Sequence, residues 1–178
     1  MALDKQENRK KIGILGGSFD PAHIGHIKIS KEAKKKFKLK KIIWAITKKN
    51  PFKNKSNLNL SKRIKLAKKI NIKNNFIKID FFEKKIGSNK TIDLINFIKK
   101  KQKTNNVYFI IGADNLINFH KWHKWKEIVN SCNILVFDRK GYKSKSLKSI
   151  TYKSFNKKGL VFINFKKVNI SSSQLRKI

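Results

Sequence analysis

The feature that most constrains the fold is an alternation of short apolar runs with amphipathic segments along the sequence. The runs at residues 11–15, 41–47 and 107–112 have the length and composition of buried strands. Segment 24–37, between the first two runs, carries apolar residues at helical spacing. Strands that alternate with helices predict an α/β fold, in which a mainly parallel sheet is covered by helices on both faces.

The predicted architecture is a single domain of the Rossmann-like, doubly wound type. We predict strands at 11–15, 41–47, 76–82, 107–112, 133–138 and 160–165, and helices at 24–37, 61–70, 91–102, 124–131 and 171–177. A turn at Gly16 and Gly17 is expected to end the first strand, and Ser61 is expected to cap the second helix. Residues 140–159 carry no pattern that predicts an element.

Composition limits the class of protein. Residues 1–10 are polar and predict a flexible N-terminal tail, whereas residues 11–178 are expected to form one domain; at 39% hydrophobic residues the chain can bury a core. No run approaches about 18 apolar residues, so we expect no membrane-spanning segment. The N-terminus lacks the apolar region of a signal peptide. The single cysteine, Cys132, excludes a disulfide framework and favours a reducing, cytoplasmic setting.

The charge of +35 is an ambiguous signal. It comes from 45 Lys and Arg residues against 10 Asp and Glu residues, and all but four of the 45 are lysine. Lysine, asparagine and isoleucine share A/T-rich codons, so genome composition accounts for such a chain without selection for nucleic-acid binding. Arginine, which makes bidentate contacts to guanine and phosphate, is scarce. We therefore expect no specific nucleic-acid partner, although the positive field should attract small polyanions at low salt.

Residues 16–26 read Gly-Gly-Ser-Phe-Asp-Pro-Ala-His-Ile-Gly-His, directly after a predicted strand and before a predicted helix. The spacing differs from both the dinucleotide fingerprint and the P-loop. His23 and His26 are three residues apart at the helix start, where they can share a face and direct ring N–H groups at one anion. Asp20 is expected to brace this loop rather than to bind a metal ion.

Two later segments carry further functional side chains. Residues 170–176 place three serines before a short predicted helix and Arg176 one turn into it, a combination that suits an anion. In segment 112–125, Asp114 follows a strand end, where a carboxylate can accept hydrogen bonds from a ribose. Trp122 can present a flat face to an aromatic ring, whereas Trp125 is expected to pack in the core.

These segments resemble the bacterial nicotinate-nucleotide adenylyltransferases, which belong to the nucleotidyltransferase superfamily that shares the HxGH motif. Residues 23–26 match that motif, and residues 170–176 resemble Ile-Ser-Ser-Thr-x-x-Arg with Ser173 in place of the threonine. Shorter matches at 50–53, 91–93 and 138–141 follow the order of the family, so the resemblance covers about 11–176. It implies that 11–178 is a nucleotidyltransferase domain.

The resemblance implies that the adenylyl group of ATP is transferred to nicotinate mononucleotide in NAD biosynthesis, with release of pyrophosphate. His23 and His26 are then the catalytic residues, and their protonation is expected to matter near pH 6–7. The implied ATP-binding residues are Gly16, Gly17, Ser18, Phe19, His23, Gly25, His26, Ser171, Ser172 and Arg176. Lys53 is implied as a phosphate contact.

The implied nicotinate mononucleotide-binding residues are Thr91, Asp114, Trp122 and the backbone of His123. Thr91 can also serve as the N-cap of the third helix, and for Arg139 a structural role and a ligand role both stay open. No protein metal site is expected; Mg²⁺ should be held mainly by the substrate phosphates. Two alternatives remain, phosphopantetheine adenylyltransferase and a basic nucleic-acid-binding protein. The sequence leaves the oligomeric state open, a homo-oligomer included.

Overall fold

The computed structural model describes residues 10–50, 52, 55–155 and 158–165. Within them, one sheet contains six strands, and all five strand pairings are parallel. The strands are β1 (Ile12–Gly17), β2 (Lys41–Ile46), β3 (Ile77–Asp80), β4 (Val107–Gly112), β5 (Asn133–Phe137) and β6 (Leu160–Ile163). Since parallel strands need crossover connections, helices must fill the intervals between them.

The strand order is β3-β2-β1-β4-β5-β6, so the direction of progression reverses between β1 and β4. β1 pairs with β2 on one side and with β4 on the other, with Ile12 opposite Lys41 and Val107. At such a reversal the crossovers diverge to opposite faces, which opens a crevice beyond the carboxyl ends of the strands. The predicted α/β fold, doubly wound around a parallel sheet in a single domain, is confirmed.

The helices are α1 (Ile24–Phe37), α2 (Leu60–Ile70), α3 (Glu83–Ile86), α4 (Thr91–Gln102), α5 (Ala113–Ile117), α6 (Trp125–Ser131), α7 (Lys143–Leu147) and α8 (Ile150–Phe155). Alternate residues of each strand face opposite sides of the sheet. On one side, Leu15 and Trp44 belong to a core that includes Ala33 of α1 and Ala67 of α2. On the other side, the core includes buried residues of α4, α5 and α6. Both faces of the sheet are therefore covered.

Several predicted boundaries were wrong for local reasons. Gly16 and Gly17 do not form a turn, because they continue β1 and lie opposite Ala45 and Ile46 of β2. Helix α2 begins one residue before Ser61, and its N-cap is Asn59, whose side chain accepts a 2.8 Å hydrogen bond from the backbone of Lys62. An earlier acceptor thus replaces Ser61 as the cap.

Other sequence-based expectations differ from the structure or concern residues that it does not describe. Thr91 does not cap the helix at 91–102, because it is the first residue of α4 and Lys90 holds the cap position without a side-chain bond. Residues 140–159, which carried no prediction, contain α7 and α8. The predicted helix at 171–177 and all of the predicted tail except Lys10 lie outside the described residues. None of the helices in the described part has both the length and the apolar character needed to cross a membrane.

Candidate active site

A cleft of about 1140 Å³ lies at the carboxyl ends of the strands, where the strand order reverses. It is lined by every predicted site residue that the structure describes. These are Gly16, Gly17, Ser18, Phe19, His23, Gly25, His26, Thr91, Asp114, Trp122, His123 and Arg139. The other four predicted residues, Lys53, Ser171, Ser172 and Arg176, lie outside the described residues. Residues more than 100 positions apart in sequence thus share one cavity.

The two histidines of the HxGH segment hold each other at the start of α1. The Nδ1 atom of His23 accepts a 3.1 Å hydrogen bond from the backbone N–H of Gly25, and Nδ1 of His26 accepts a 3.1 Å bond from the backbone N–H of His23. The ring centroids are 4.0 Å apart. An accepting nitrogen must carry its lone pair, so a neutral ring bears its proton on Nε2. Both rings are therefore set to donate through Nε2 while Nδ1 caps the helix.

The charge state of His23 differs from the sequence-based expectation. Partial burial, with a smaller contribution from the nearby guanidinium of Arg139, lowers the pKa of His23 from 6.5 to about 4. The ring is therefore neutral throughout the pH range 6–7, in which its titration was expected to matter. A neutral His23 matches the capping geometry, because protonation of Nδ1 would break its bond from Gly25.

We predict that His23 titrates with a midpoint near pH 4 and is an Nε2–H tautomer at neutral pH. The folded state then binds fewer protons than the unfolded state between about pH 4 and 6.5, so this group destabilises the fold as the pH falls through that window. Nitrogen-15 NMR of the imidazoles measures both properties, and His23→Gln assigns the signal. A His23 signal that titrates near 6.5 would contradict the prediction.

Phe19 packs its ring against the imidazole of His26. Its side chain is only 2% exposed, and its ring packs 5.0 Å from Trp44 and 4.7 Å from His26, measured between centroids. Phe19 adopts φ of 47°, an uncommon conformation for a residue with a side chain. The buried ring of Phe19 fixes the imidazole of His26. Any direct contact between Phe19 and ATP would therefore come from the backbone of Phe19.

An ion pair connects the ends of β4 and β5. Nη1 of Arg139 lies 2.6 Å from Oδ2 of Asp114, whose side chain is only 13% exposed. The guanidinium of Arg139 also lies 5.7 Å from the ring centroid of Tyr142. Gly112 makes room for the carboxylate, since a Cβ there would lie 2.6 Å from Oδ1 of Asp114. Through these contacts Arg139 orients Asp114 at the cleft, and a ligand role for Arg139 stays a prediction because it also lines the cleft.

Three aromatic residues, Phe52, Phe109 and Trp122, lie close together in the lining of the cleft. Trp122 is half-buried, stacks on Phe119 at a centroid distance of 4.7 Å, and meets the edge of Phe109 at 6.2 Å. Phe52, which is 48% exposed, lies 6.3 Å from Trp122 with its ring within 8° of parallel. Trp125 packs edge-on against Phe155 beside the core, as predicted. Trp122 is thus held by its neighbours and offers a flat aromatic surface at the cleft.

The two remaining residues that were predicted to contact the mononucleotide, Thr91 and His123, also line the cleft. Thr91 is half-buried at the first position of α4, and His123 is exposed next to Trp122. Within the ranges that the structure describes, no three His, Cys, Asp or Glu side chains are grouped closely enough to hold a metal ion.

Two residues at or beside this site, Phe52 and Arg63, carried no prediction from the sequence. Phe52 was passed over as the variable position between Pro51 and Lys53, although an aromatic side chain in a polar loop was a usable signal. Arg63 was also missed. Its signal was an arginine on the inward face of a helix in a chain whose other cations are nearly all lysines.

Comparison with known proteins places the chain in a family. Residues 14–178 match the family model described as cytidylyltransferase-like. A protein of Pelagibacter ubique (strain HTCC1062), named probable nicotinate-nucleotide adenylyltransferase, is 69% identical over 172 residues, which are 97% of this chain and 95% of that protein. The chain belongs to the nicotinate-nucleotide adenylyltransferase family.

Other relatives agree with this assignment. A probable nicotinate-nucleotide adenylyltransferase of Agrobacterium fabrum is 35% identical over 146 residues, 82% of this chain and 78% of that protein. Among solved structures, Plasmodium falciparum nicotinic acid mononucleotide adenylyltransferase complexed with NaAD superposes with a TM-score of 0.73 at 22% identity, covering 95% of this chain and 83% of that one. That structural likeness supports the fold.

Membership in the nicotinate-nucleotide adenylyltransferase family confirms the predicted enzyme class, a nucleotidyltransferase of NAD biosynthesis. Neither phosphopantetheine adenylyltransferase nor a nucleic-acid-binding protein is favoured. Enzymes of this class generally use a divalent metal ion. The charge of +35 therefore belongs to an enzyme. A positive field suits polyanionic nucleotide substrates.

Proposed function

We propose that this nucleotidyltransferase transfers the adenylyl group of ATP to nicotinate mononucleotide, and that residues 11–178 act as one catalytic domain in the cytoplasm. A phosphate oxygen of the mononucleotide attacks the α-phosphorus of ATP in line. The bond from the α-phosphorus to the bridging oxygen breaks, and pyrophosphate leaves with the electron pair. The observation that supports this reaction is the single cleft that contains the histidine pair, Asp114 and Trp122.

The proposed role of His23 and His26 is to stabilise charge rather than to move a proton. A phosphate oxygen is an adequate nucleophile at neutral pH, so the reaction needs no general base, and catalysis depends on positioning and on donors aimed at the transferring group. The capping bonds at Nδ1 leave Nε2–H as the donor of each neutral ring. Because these bonds hold the rings before ATP arrives, little reorganisation is required in the transition state.

We place the nicotinate ring of the mononucleotide against Trp122. The tryptophan is already held by Phe119 and Phe109, and Phe52 provides a second aromatic surface nearby. Thr91 and His123 also line the cleft, and the side chain of Thr91 and the backbone N–H of His123 are proposed to contact the carboxylate. The phosphate, at the other end of the mononucleotide from the ring, would then point towards the histidines.

Asp114 is proposed to accept hydrogen bonds from the ribose of the mononucleotide, in the orientation that Arg139 imposes. Gly16, Gly17, Ser18 and Gly25 are proposed to let the backbone approach ATP closely. Contacts from Lys53, Ser171, Ser172 and Arg176 to phosphates remain predictions from the sequence. Mg²⁺ would be held by substrate phosphates and water, and would neutralise part of their charge.

Acceptor selectivity tests this function. Purified protein is incubated with ATP, Mg²⁺ and one of three acceptors, namely nicotinate mononucleotide, nicotinamide mononucleotide or phosphopantetheine, and pyrophosphate release is followed. We expect the fastest release with nicotinate mononucleotide and none above background with phosphopantetheine, which has no aromatic ring to meet Trp122. Preference for phosphopantetheine would overturn the proposal. Preference for nicotinamide mononucleotide would overturn the assigned contacts of Thr91 and His123.

A further inference from the structure

Arg63 is a buried cation outside the set of residues assigned so far. It lies on α2, its exposure is 2%, and its guanidinium donates to four backbone carbonyls. Nη1 bonds the oxygens of Ser18 at 2.6 Å and Thr47 at 2.8 Å, Nη2 bonds that of Lys48 at 3.0 Å, and Nε bonds that of Leu58 at 3.1 Å. One side chain therefore ties together backbone from three parts of the chain.

Two of those four carbonyls belong to residues that line the cleft, Ser18 and Thr47. Ser18 lies between β1 and the histidines of α1, and it lines the cleft. Thr47 also lines the cleft and, with Lys48, directly follows β2. Leu58 lies close to the start of α2, on the far side of the loop that follows β2. The guanidinium thus fixes the loop before the histidines relative to the segment after β2.

Two carboxylates complete the arrangement around the same segments. Asp20 accepts backbone hydrogen bonds from Asn57 at 2.7 Å and Leu58 at 3.0 Å, which confirms that it braces the first loop. Glu83 accepts from the hydroxyl of Thr47 at 2.5 Å and from the backbone of Lys48 at 3.0 Å. Burial lowers the pKa of Arg63, and the charges of Asp20 and Glu83 oppose that shift.

The choice of arginine over lysine is informative in this chain. A lysine carries its donors on a single nitrogen, whereas the planar guanidinium spreads five donors over a rigid fork. Four carbonyls that lie in different directions require the fork. The packing of α2 against the sheet has a separate source, because its apolar residues Leu60, Ile64, Ala67 and Ile70 belong to or pack against the core. The hydrogen bonds of the guanidinium are therefore not needed to hold α2 against the sheet.

We propose that Arg63 is a positioning residue for the triphosphate, which acts by fixing the Ser18 and Thr47 walls of the cleft at the separation that ATP requires. The inference rests on the proposed function for the identity of the substrate. It predicts that a change at Arg63 affects ATP far more than the acceptor, because Arg63 contacts neither Trp122 nor Asp114 but does contact the loop that leads into the histidines.

The test is Arg63→Lys, which keeps the charge and removes the fork. We expect kcat to fall by about 10- to 100-fold, since small displacements of reacting groups carry penalties of that order. KM for ATP should rise, whereas KM for nicotinate mononucleotide should stay close to that of the wild type. Calorimetric titration with a non-hydrolysable ATP analogue should show weaker binding without any acceptor, so this readout survives if the acceptor assignment fails.

Val129→Ala is the matched control. Val129 is buried in α6 on the opposite face of the sheet, so its truncation destabilises the fold without touching the cleft. The variant should have a lower Tm but an unchanged affinity for the ATP analogue. Should Arg63→Lys fail to fold, Asp20→Asn loosens the same loops. Normal ATP binding by the folded Arg63 or Asp20 variant, or an equal loss in Val129→Ala, overturns the proposal.

Discussion

Replacement of His26 by alanine is expected to lower kcat by about 100- to 1000-fold, the usual loss when one donor to a developing oxyanion is removed. The Nε2–H of this imidazole is proposed to donate to the α-phosphate of ATP, and Phe19 holds the ring in place through a 4.7 Å ring contact. Steady-state pyrophosphate release at saturating concentrations of both substrates measures the change. Wild-type turnover in the folded variant would remove His26 from the catalytic residues.

The capping bonds complicate this experiment, because His26→Ala also removes an acceptor at the start of α1. Two conservative variants separate the roles. His26→Gln retains an oxygen that can accept from the backbone of residue 23, and His23→Ser retains a capping hydroxyl too short to reach a phosphate. Loss of a cap costs about 1 kcal/mol, which Tm reports. We expect near-normal Tm but a large loss of kcat in His23→Ser. Normal kcat would show that His23 acts only as a cap.

The sequence predicted the long elements well, because their patterns are local. Helix Thr91–Gln102 and strand Val107–Gly112 occur as expected, since each buries a periodic set of apolar side chains. Helices of four or five residues, such as Glu83–Ile86 and Ala113–Ile117, were missed because they are too short to display a period. The continuation of β1 through Gly17 depends on pairing with β2, a tertiary interaction that glycine propensity does not reveal.

At the site, residue identities were predictable but their mutual contacts were not. The HxGH segment shows that two imidazoles meet an anion, whereas the reciprocal Nδ1 bonds that set their tautomers emerge only from the geometry of the helix start. Asp114 and Arg139 are 25 positions apart, and Arg63 reaches Ser18 across 45 positions. Such pairings depend on where the sheet order brings loops together, so they could not be derived from motif spacing.

The distribution of charge in the cleft follows from these contacts. Arg139 lies close enough to help keep His23 neutral, while its own charge is balanced by Asp114. The charge of Arg63 is likewise opposed by Asp20 and Glu83, and its guanidinium bonds the backbone carbonyls of Ser18 and Thr47. Among the described residues, the proposed phosphate donors include the imidazoles of His23 and His26 and nearby backbone N–H groups, to which Lys53 and Arg176 are predicted to add cationic contacts.

The second large effect is expected from Trp122→Ala. Loss of one stacking surface should raise KM for nicotinate mononucleotide by about 5- to 150-fold, the equivalent of about 1–3 kcal/mol for an aromatic–base contact. KM for ATP should stay nearly unchanged, since Trp122 packs with the core on one face of the sheet, whereas Phe19, which contacts His26, belongs to the core on the other face. Trp122→Phe keeps a flat ring and should restore most of the affinity.

Trp125→Ala removes the same side chain three residues away and serves as the control. Trp125 packs edge-on against Phe155 and lies outside the lining of the cleft, so its loss should lower Tm and leave both KM values close to those of the wild type. Initial rates measured over a matrix of ATP and mononucleotide concentrations give KM for each of the two substrates in each of the two variants. Equal increases of both KM values in Trp122→Ala, or a selective increase for the mononucleotide in Trp125→Ala, would assign Trp122 to core packing and leave the pyridine ring without a binding surface.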